Sequence, residues 1–188
     1  MKVVFLDRDG VINKNIDNYY VTSWNSFIWI PRALEALSLL HINGWKTFIF
    51  TNQACVGKGI ICRSTLLDIH NNMLKEISFY GGKIEKIYTC IHKSEEYCCC
   101  RKPNPGMLLA AAQEYNLDLS KCYVIGDSYN DILAANKVKS HSILVRSGRG
   151  MNSRMELEDT SLPSKICTDL FGAVKYIIDK EKKNDFIY

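Results

Sequence analysis

The apolar run Val3-Val4-Phe5-Leu6 stops abruptly at Asp7-Arg8-Asp9-Gly10, and no other stretch restricts the fold as strongly. β-branched and aromatic residues without polar alternation mark a strand buried in the middle of a sheet. The charged exit marks a loop that faces something polar. Carboxylates at positions 7 and 9 are costly together unless a cation neutralises them or one holds a proton. An isolated turn of this kind is most simply an acidic bend, but here the pattern recurs. Lys46-Thr47-Phe48-Ile49-Phe50 stops at Thr51-Asn52-Gln53, and Cys122-Tyr123-Val124-Ile125 stops at Gly126-Asp127.

Between these runs the periodicity is helical. Pro31 opens a helix on which Ala33, Leu34, Leu37 and Leu40 share a face, and Gly44 closes it. Ser64 is the expected N-cap of the next helix, which carries Leu66, Leu67, Met73, Leu74 and Ile77 and ends at Gly81-Gly82. A strand is predicted over 84–88, a helix over 106–116, a short helix over 130–137 and a strand over 142–145. A last helix places Leu170, Val174, Ile177 and Ile178 together, and its charged end beyond Asp179 is expected to fray. The segment from Val11 to Ile30 reads as a flap beside the first strand, with Tyr19, Tyr20, Trp24, Phe27 and Trp29 packing.

Strands alternating with amphipathic helices predict an α/β fold, a central parallel sheet with helices on both faces. All strand exits then share one edge, where such sheets bind ligands. The 188 residues contain no linker or repeat, so a single domain over 1–188 is expected. Net charge is +4 with scattered Lys and Arg, which falls short of a nucleic-acid footprint and suits a small anionic substrate. The run before Asp7 is too short for a signal segment, and no later run reaches membrane-spanning length, so a cytoplasmic protein without a membrane partner, and a monomer, is expected.

Asp7, Asp9, Thr51, Asn52 and Asp127 converge at that edge, and hard oxygen donors of this kind suit Mg²⁺. One carboxylate, Asp7, is the candidate nucleophile toward phosphorus, and Asp9 the proton shuttle. Thr51 and a lysine, for which Lys102 is the candidate, would supply phosphoryl-oxygen donors. The eight cysteines suggest metal binding rather than disulfides in a reducing compartment. Cys90 and His92, then five residues, then Cys98-Cys99-Cys100, have the spacing of a structural Cys₃His zinc site within a loop of about 90–105. Alternate residues reach one ion better than adjacent ones, which favours Cys98 and Cys100, although any two of the three cysteines could serve. Cys55, Cys62, Cys122 and Cys167 read as buried free thiols, and His41, His70 and His141 as structural or exposed.

Four stretches, Phe5 to Asn13, Thr51-Asn52-Gln53, Cys100-Arg101-Lys102-Pro103-Asn104-Pro105-Gly106-Met107 and Gly126 to Asp131, resemble the motifs of the haloacid dehalogenase (HAD) phosphatases. The cysteine loop running into the third motif is similar to the branch without a large cap domain that acts on heptose 1,7-bisphosphate or histidinol phosphate. The resemblance implies an HAD-like Rossmannoid fold with a zinc-bound loop and phosphomonoester hydrolysis through an aspartyl phosphate. It implies Mg²⁺ held by Asp7, Asp127 and the Asp9 carbonyl with Asp131 in support, and Zn²⁺ on Cys90, His92, Cys98 and Cys100. Tyr20-Val21 and the run from Thr51 to Gly59 are closer to the heptose type, with Cys55 at a usual Gly and Lys58 near a usual Arg; the five-residue cysteine spacing is that of the histidinol type. Asn52 and Gln53 join Thr51 and Lys102 at the phosphate, and Lys58 and Arg101 would grip the distal anionic group of a sugar bisphosphate. A zinc-stabilised nucleic-acid module would account for the cysteines but leave Asp7, Asp9 and Asp127 without a purpose.

Overall fold

The computed structural model describes residues 1–16, 20–149 and 162–185. Strands β1 (Val3–Leu6), β2 (Lys46–Asn52), β3 (Lys86–Cys90), β4 (Tyr123–Gly126), β5 (His141–Val145) and β6 (Lys165–Cys167) form one sheet in the order β3-β2-β1-β4-β5-β6. Every pairing in it is parallel. Helix α1 (Ala33–Ile42) lies between β1 and β2, α2 (Ala54–Gly57) and α3 (Arg63–Phe79) between β2 and β3, α4 (Gly106–Tyr115) between β3 and β4, and α5 (Tyr129–Lys137) between β4 and β5. Helix α6 (Leu170–Asp185) follows β6.

Side-chain alternation along the strands feeds two cores. Val4, Leu6, Ile49, Ile125, Ile143 and Val145 meet Leu37 and Leu40 of α1, Ile69 and Met73 of α3 and Val174 and Ile177 of α6. Val3, Phe5, Phe48, Phe50 and Val124 meet Met107, Leu108 and Ala111 of α4 and Ala134 and Ala135 of α5 on the opposite face. Phe48 stacks on Phe5 with ring centroids 5.2 Å apart and meets Tyr115 edge-on at 4.8 Å. Strand order reverses between β1 and β4, so the chain leaves β1 and β4 in opposite directions and opens a crevice at their carboxyl ends.

Several sequence expectations shift. Arg32 has a left-handed φ of 63° and caps α1, so Pro31 sits in the preceding turn rather than in the helix. Cys62, not Ser64, caps α3; its thiol contacts the Ser64 and Thr65 hydroxyls at 3.0 Å and is exposed, not buried. The third strand runs to Cys90 because its pairing with β2 continues to Asn52. Strand β6 escaped the sequence reading, since a three-residue edge strand has no periodicity to detect. Helix α6 continues past Asp179 to Asp185, anchored where the Tyr123 hydroxyl donates to Glu181 at 3.0 Å. Trp24, Phe27 and Trp29 pack together as expected; Tyr19 lies outside the described residues.

Phe48→Ala removes a fully buried ring from between α4 and the sheet. The expected loss is about 3–5 kcal/mol, read as a lower urea midpoint with an unchanged slope.

Candidate active site

Asp7 lies one residue past β1, its N–H still in sheet register and donating to the Ile125 carbonyl at 3.0 Å. The chain then turns under the Arg8 carbonyl, which accepts from the N–H groups of Ile12 at 2.8 Å and Asn13 at 3.1 Å. Gly10 takes a φ of 85° in this turn, and a Cβ there would collide with the Asp127 carboxylate, as would one at Gly148. Glycine at both places lets two loops close on the exit of β4.

Asp7, Asp127 and Asp131 bring one oxygen each to within 4.8 Å of one another. One buried cation answers them: the Lys102 Nζ lies 2.9 Å from Asp7 Oδ1, 2.6 Å from Asp131 Oδ1 and 3.0 Å from the Phe50 carbonyl oxygen. Asp7 Oδ1 also accepts the Arg8 N–H at 2.7 Å. The second oxygen of Asp131 caps α5, taking the Ser128 hydroxyl at 2.6 Å and N–H at 3.0 Å. Asp127 Oδ2 accepts from Asn15 Nδ2 and the Arg149 N–H, each at 2.8 Å. Burial, with the repulsion of Asp131, Asp127 and Asp9, pushes the Asp7 carboxyl up to about 8 despite Lys102. Burial and Asp131 push Asp127 up to about 6. For Lys102, burial would lower the pKa, but Asp131 and Asp7 outweigh it and the ammonium is held above its ordinary value.

Asp9 is treated differently. Its carboxylate accepts from Arg8 Nη2 on both oxygens at 2.9 and 3.0 Å, from Asn13 Nδ2 at 2.8 Å and from Gln53 Nε2 at 2.7 Å. Burial opposes ionisation, but the Arg8 charge and these hydrogen bonds prevail and hold Asp9 below the usual carboxylate range. Gln53, expected at the phosphate, lies buried beneath the cleft, its Nε2 also donating to Thr51 Oγ1 at 2.8 Å. Asn52 lines the cleft and clamps the backbone of Lys102, donating to its carbonyl at 3.2 Å and accepting its N–H at 3.1 Å.

The cleft has a volume of about 380 Å³, with Asp7, Asp9, Thr51, Lys102 and Asp127 at its base. Lys58, Arg101 and Arg149 stand around it, with Tyr20, Asn15 and Asn130. Tyr20, expected to pack, instead faces the cleft and accepts from Lys58 Nζ at 3.1 Å. Arg8, Asn13, Asn15, His70 and Arg149 went unread as site residues. The one available signal for Arg8 was charge balance, because two buried carboxylates need cations nearby.

Beside the cleft, Cys90, His92, Cys98 and Cys100 gather their ligand atoms within 4.8 Å. His92 Nδ1 is 3.2 Å from Cys100 Sγ, and Cys98 Sγ is 3.4 Å from Cys100 Sγ and 3.6 Å from Cys90 Sγ. Cys99 is exposed and lies outside this group. Three thiols and an imidazole in this arrangement fit zinc. The same loop delivers Arg101 and Lys102 to the cleft.

A parallel sheet of this order with carboxylates at the exits of β1 and β4 and a buried lysine between them defines an HAD-like hydrolase. The family model described as "HAD-hyrolase-like" matches residues 99–173. The chain is 34% identical over 182 residues to the D-glycero-beta-D-manno-heptose-1,7-bisphosphate 7-phosphatase of Bordetella bronchiseptica, covering 96% of this chain and 99% of that one. It is 36% identical over 155 residues to the Helicobacter pylori protein of the same name, covering 78% and 84%. The crystal structure of the B. bronchiseptica D,D-heptose 1,7-bisphosphate phosphatase with magnesium and phosphate superposes with a TM-score of 0.90 at 32% identity, covering 96% of this chain and 99% of that one. The chain belongs to the HAD-like family and, within it, to the phosphatases that these relatives represent. Among the described residues there is no separate cap domain, and no helix is long and apolar enough to cross a membrane.

The carboxylate cluster makes the metal-free protein sensitive to pH. A carboxyl raised from 3.8 to about 8 binds its proton more tightly folded than unfolded, so its charge destabilises the fold increasingly as pH rises through that window. Asp7→Asn removes the effect. With chelator present, the substituted protein should melt above the parent at pH 8 and converge with it near pH 4, as followed by thermal unfolding.

Proposed function

We propose that this phosphatase removes the 7-phosphate of D-glycero-D-manno-heptose 1,7-bisphosphate through an aspartyl phosphate on Asp7. The observation that carries the reading is the meeting of Asp7, Asp127 and Lys102 at the base of a cleft whose surround is cationic. Asp7, anchored through one oxygen by Lys102 and the Arg8 N–H, attacks phosphorus as the sugar oxygen departs. For that oxygen to leave as an alcohol, Asp9 must first take up a proton and then pass it on. It does so against the Arg8 grip that holds it below the usual carboxylate range in the free cleft. Water then attacks the acyl phosphate, Asp9 takes the proton released, and inorganic phosphate leaves with Asp7 restored. Thr51 and Lys102 stabilise the charge on the phosphoryl oxygens.

The all-oxygen donor set fits magnesium, which the B. bronchiseptica relative binds together with phosphate. Asp7 and Asp127 would hold it through their carboxylates and Asp9 through its carbonyl. Asp131 stays in support, because both of its oxygens are committed to Lys102 and Ser128. When bound, magnesium offsets the charge that Asp7 and the phosphate bring together.

Charge favours a bisphosphate. Lys58, Arg101 and Arg149 can receive a second phosphate, whereas histidinol phosphate would bring an ammonium and an imidazole toward the same cations. Zinc on Cys90, His92, Cys98 and Cys100 fixes the loop that carries Arg101 and Lys102. The eight free cysteines suit a reducing, cytoplasmic setting.

Steady-state assays should give a kcat/KM for the heptose bisphosphate about 100-fold above that for histidinol phosphate; the reverse order refutes the substrate. Asp7→Asn should lower kcat by about a thousandfold or more and abolish the acid-quenched phosphoenzyme. Elemental analysis should find about one zinc per chain. Cys98→Ser should lose the zinc and most activity, and retention of full activity in a zinc-free variant would refute the role of the loop.

A further inference from the structure

Arg8 is the largest fully buried side chain described, and its guanidinium lies wholly beneath the cleft floor. Its Nη2 grips both oxygens of Asp9 and also donates to Gln53 Oε1 at 3.1 Å. Its Nη1 meets the Nε2 of His70 at 3.1 Å. His70 projects from α3 and is 62 residues away in sequence. Because Arg8 can only donate, Nε2 must accept, which assigns the ring proton to Nδ1. Burial and the adjacent Arg8 charge push the His70 pKa down to about 3, so the ring remains the neutral acceptor that this contact needs.

A guanidinium has a planar fork with fixed donor directions, so fixing Nη1 fixes the plane that Nη2 and Nε present to Asp9. Asp9 itself sits on a turn whose next residue, Gly10, is in a left-handed conformation, and its side chain is partly open to the cleft. Within the turn Asn13 holds only one of its oxygens, Oδ1 at 2.8 Å, which leaves the rotation of the carboxylate about that contact to Arg8 and Gln53. Gln53 completes the frame by joining Asp9 to Thr51. We propose that His70, acting through Arg8, is a positioning residue that aims the Asp9 carboxylate for its proton transfers. The inference rests on the assignment of Asp9 as acid and base under the proposed function. His70 touches no reacting atom; its contribution is orientation, to which proton transfer is sensitive because donor and acceptor must meet at hydrogen-bond distance.

The test compares His70→Leu, which removes the acceptor, with His70→Gln, whose amide oxygen can take the place of Nε2. On the heptose bisphosphate, His70→Leu should lower kcat about tenfold or more with KM within about twofold, and His70→Gln should recover most of the loss. p-Nitrophenyl phosphate separates the half-reactions, because its leaving group departs without a proton. With it, His70→Leu should keep the initial burst of nitrophenolate but slow the steady state, since water must still be deprotonated to clear the acyl phosphate. Should His70→Leu not fold by thermal unfolding, His70→Asn, whose shorter amide cannot reach Nη1, takes its place. A folded variant with kcat unchanged, equal loss in burst and steady state, or failure of His70→Gln to recover activity overturns the inference. If instead the unsubstituted protein hydrolyses neither substrate, it is the underlying reading that fails.

Discussion

The buried ammonium of Lys102 is the contact on which the rest of this site depends. Its three protons point to Asp7, Asp131 and the Phe50 carbonyl, which belong respectively to the exit of β1, the first turn of α5 and the interior of β2. A charge this deep is tolerated only because every donor is matched, and removing one partner of such a set typically costs about 3–5 kcal/mol. Lys102 arrives on a loop without regular structure, so its placement needs separate support. Asn52 clamps its backbone from β2, and Asn104 ties the loop to the Cys98 carbonyl at 3.0 Å. The cysteine cluster and the carboxylate cluster are thus two ends of one short segment.

Backbone proximity does as much as charge. Gly126 ends β4 where any Cβ would collide with Asp131, so the exit strand and the first turn of α5 touch directly. Gly10 and Gly148 do the same on either side of Asp127. Three glycines therefore set how closely the acidic groups crowd, and the crowding gives the site its need for a cation.

The fold was legible because buried parallel strands read as short apolar runs that end at polar residues, and β1, β2 and β4 all do so. The residues that leave those ends, Asp7, Thr51 and Asp127, were legible for the same reason. What stayed hidden depends on contacts between distant stretches. An arginine between two aspartates looks solvent-facing until β2 and α3 are packed around it, and His70 meets it only through the crossover geometry of that helix. Gln53 was legible as a polar strand exit, but it lies past the end of β2 where the chain turns into α2, and its buried side chain runs beneath the floor to Asp9 and Thr51. Asn15 and Arg149 belong to loops, whose paths no periodicity encodes. The cysteine spacing was enough to find the cluster, and only the fold could set Cys99 aside.

Asp7 and Asp9 are two residues apart in one turn, yet their surroundings drive them in opposite directions. Asp9, gripped by Arg8, Asn13 and Gln53, is held ionised. Asp7, deeply buried and with more carboxylates than cations around it, is pushed toward its protonated form, in which it is a poor nucleophile. Pushing paired carboxyls apart is how one site assigns distinct roles to chemically identical groups. The assignment has a further consequence. Lys102 alone does not balance Asp7, Asp127 and Asp131, so a further cation in the cluster would favour the ionised form of Asp7. With Asp7 as the nucleophile of the proposed function, such an arrangement would couple its reactivity to a bound cation.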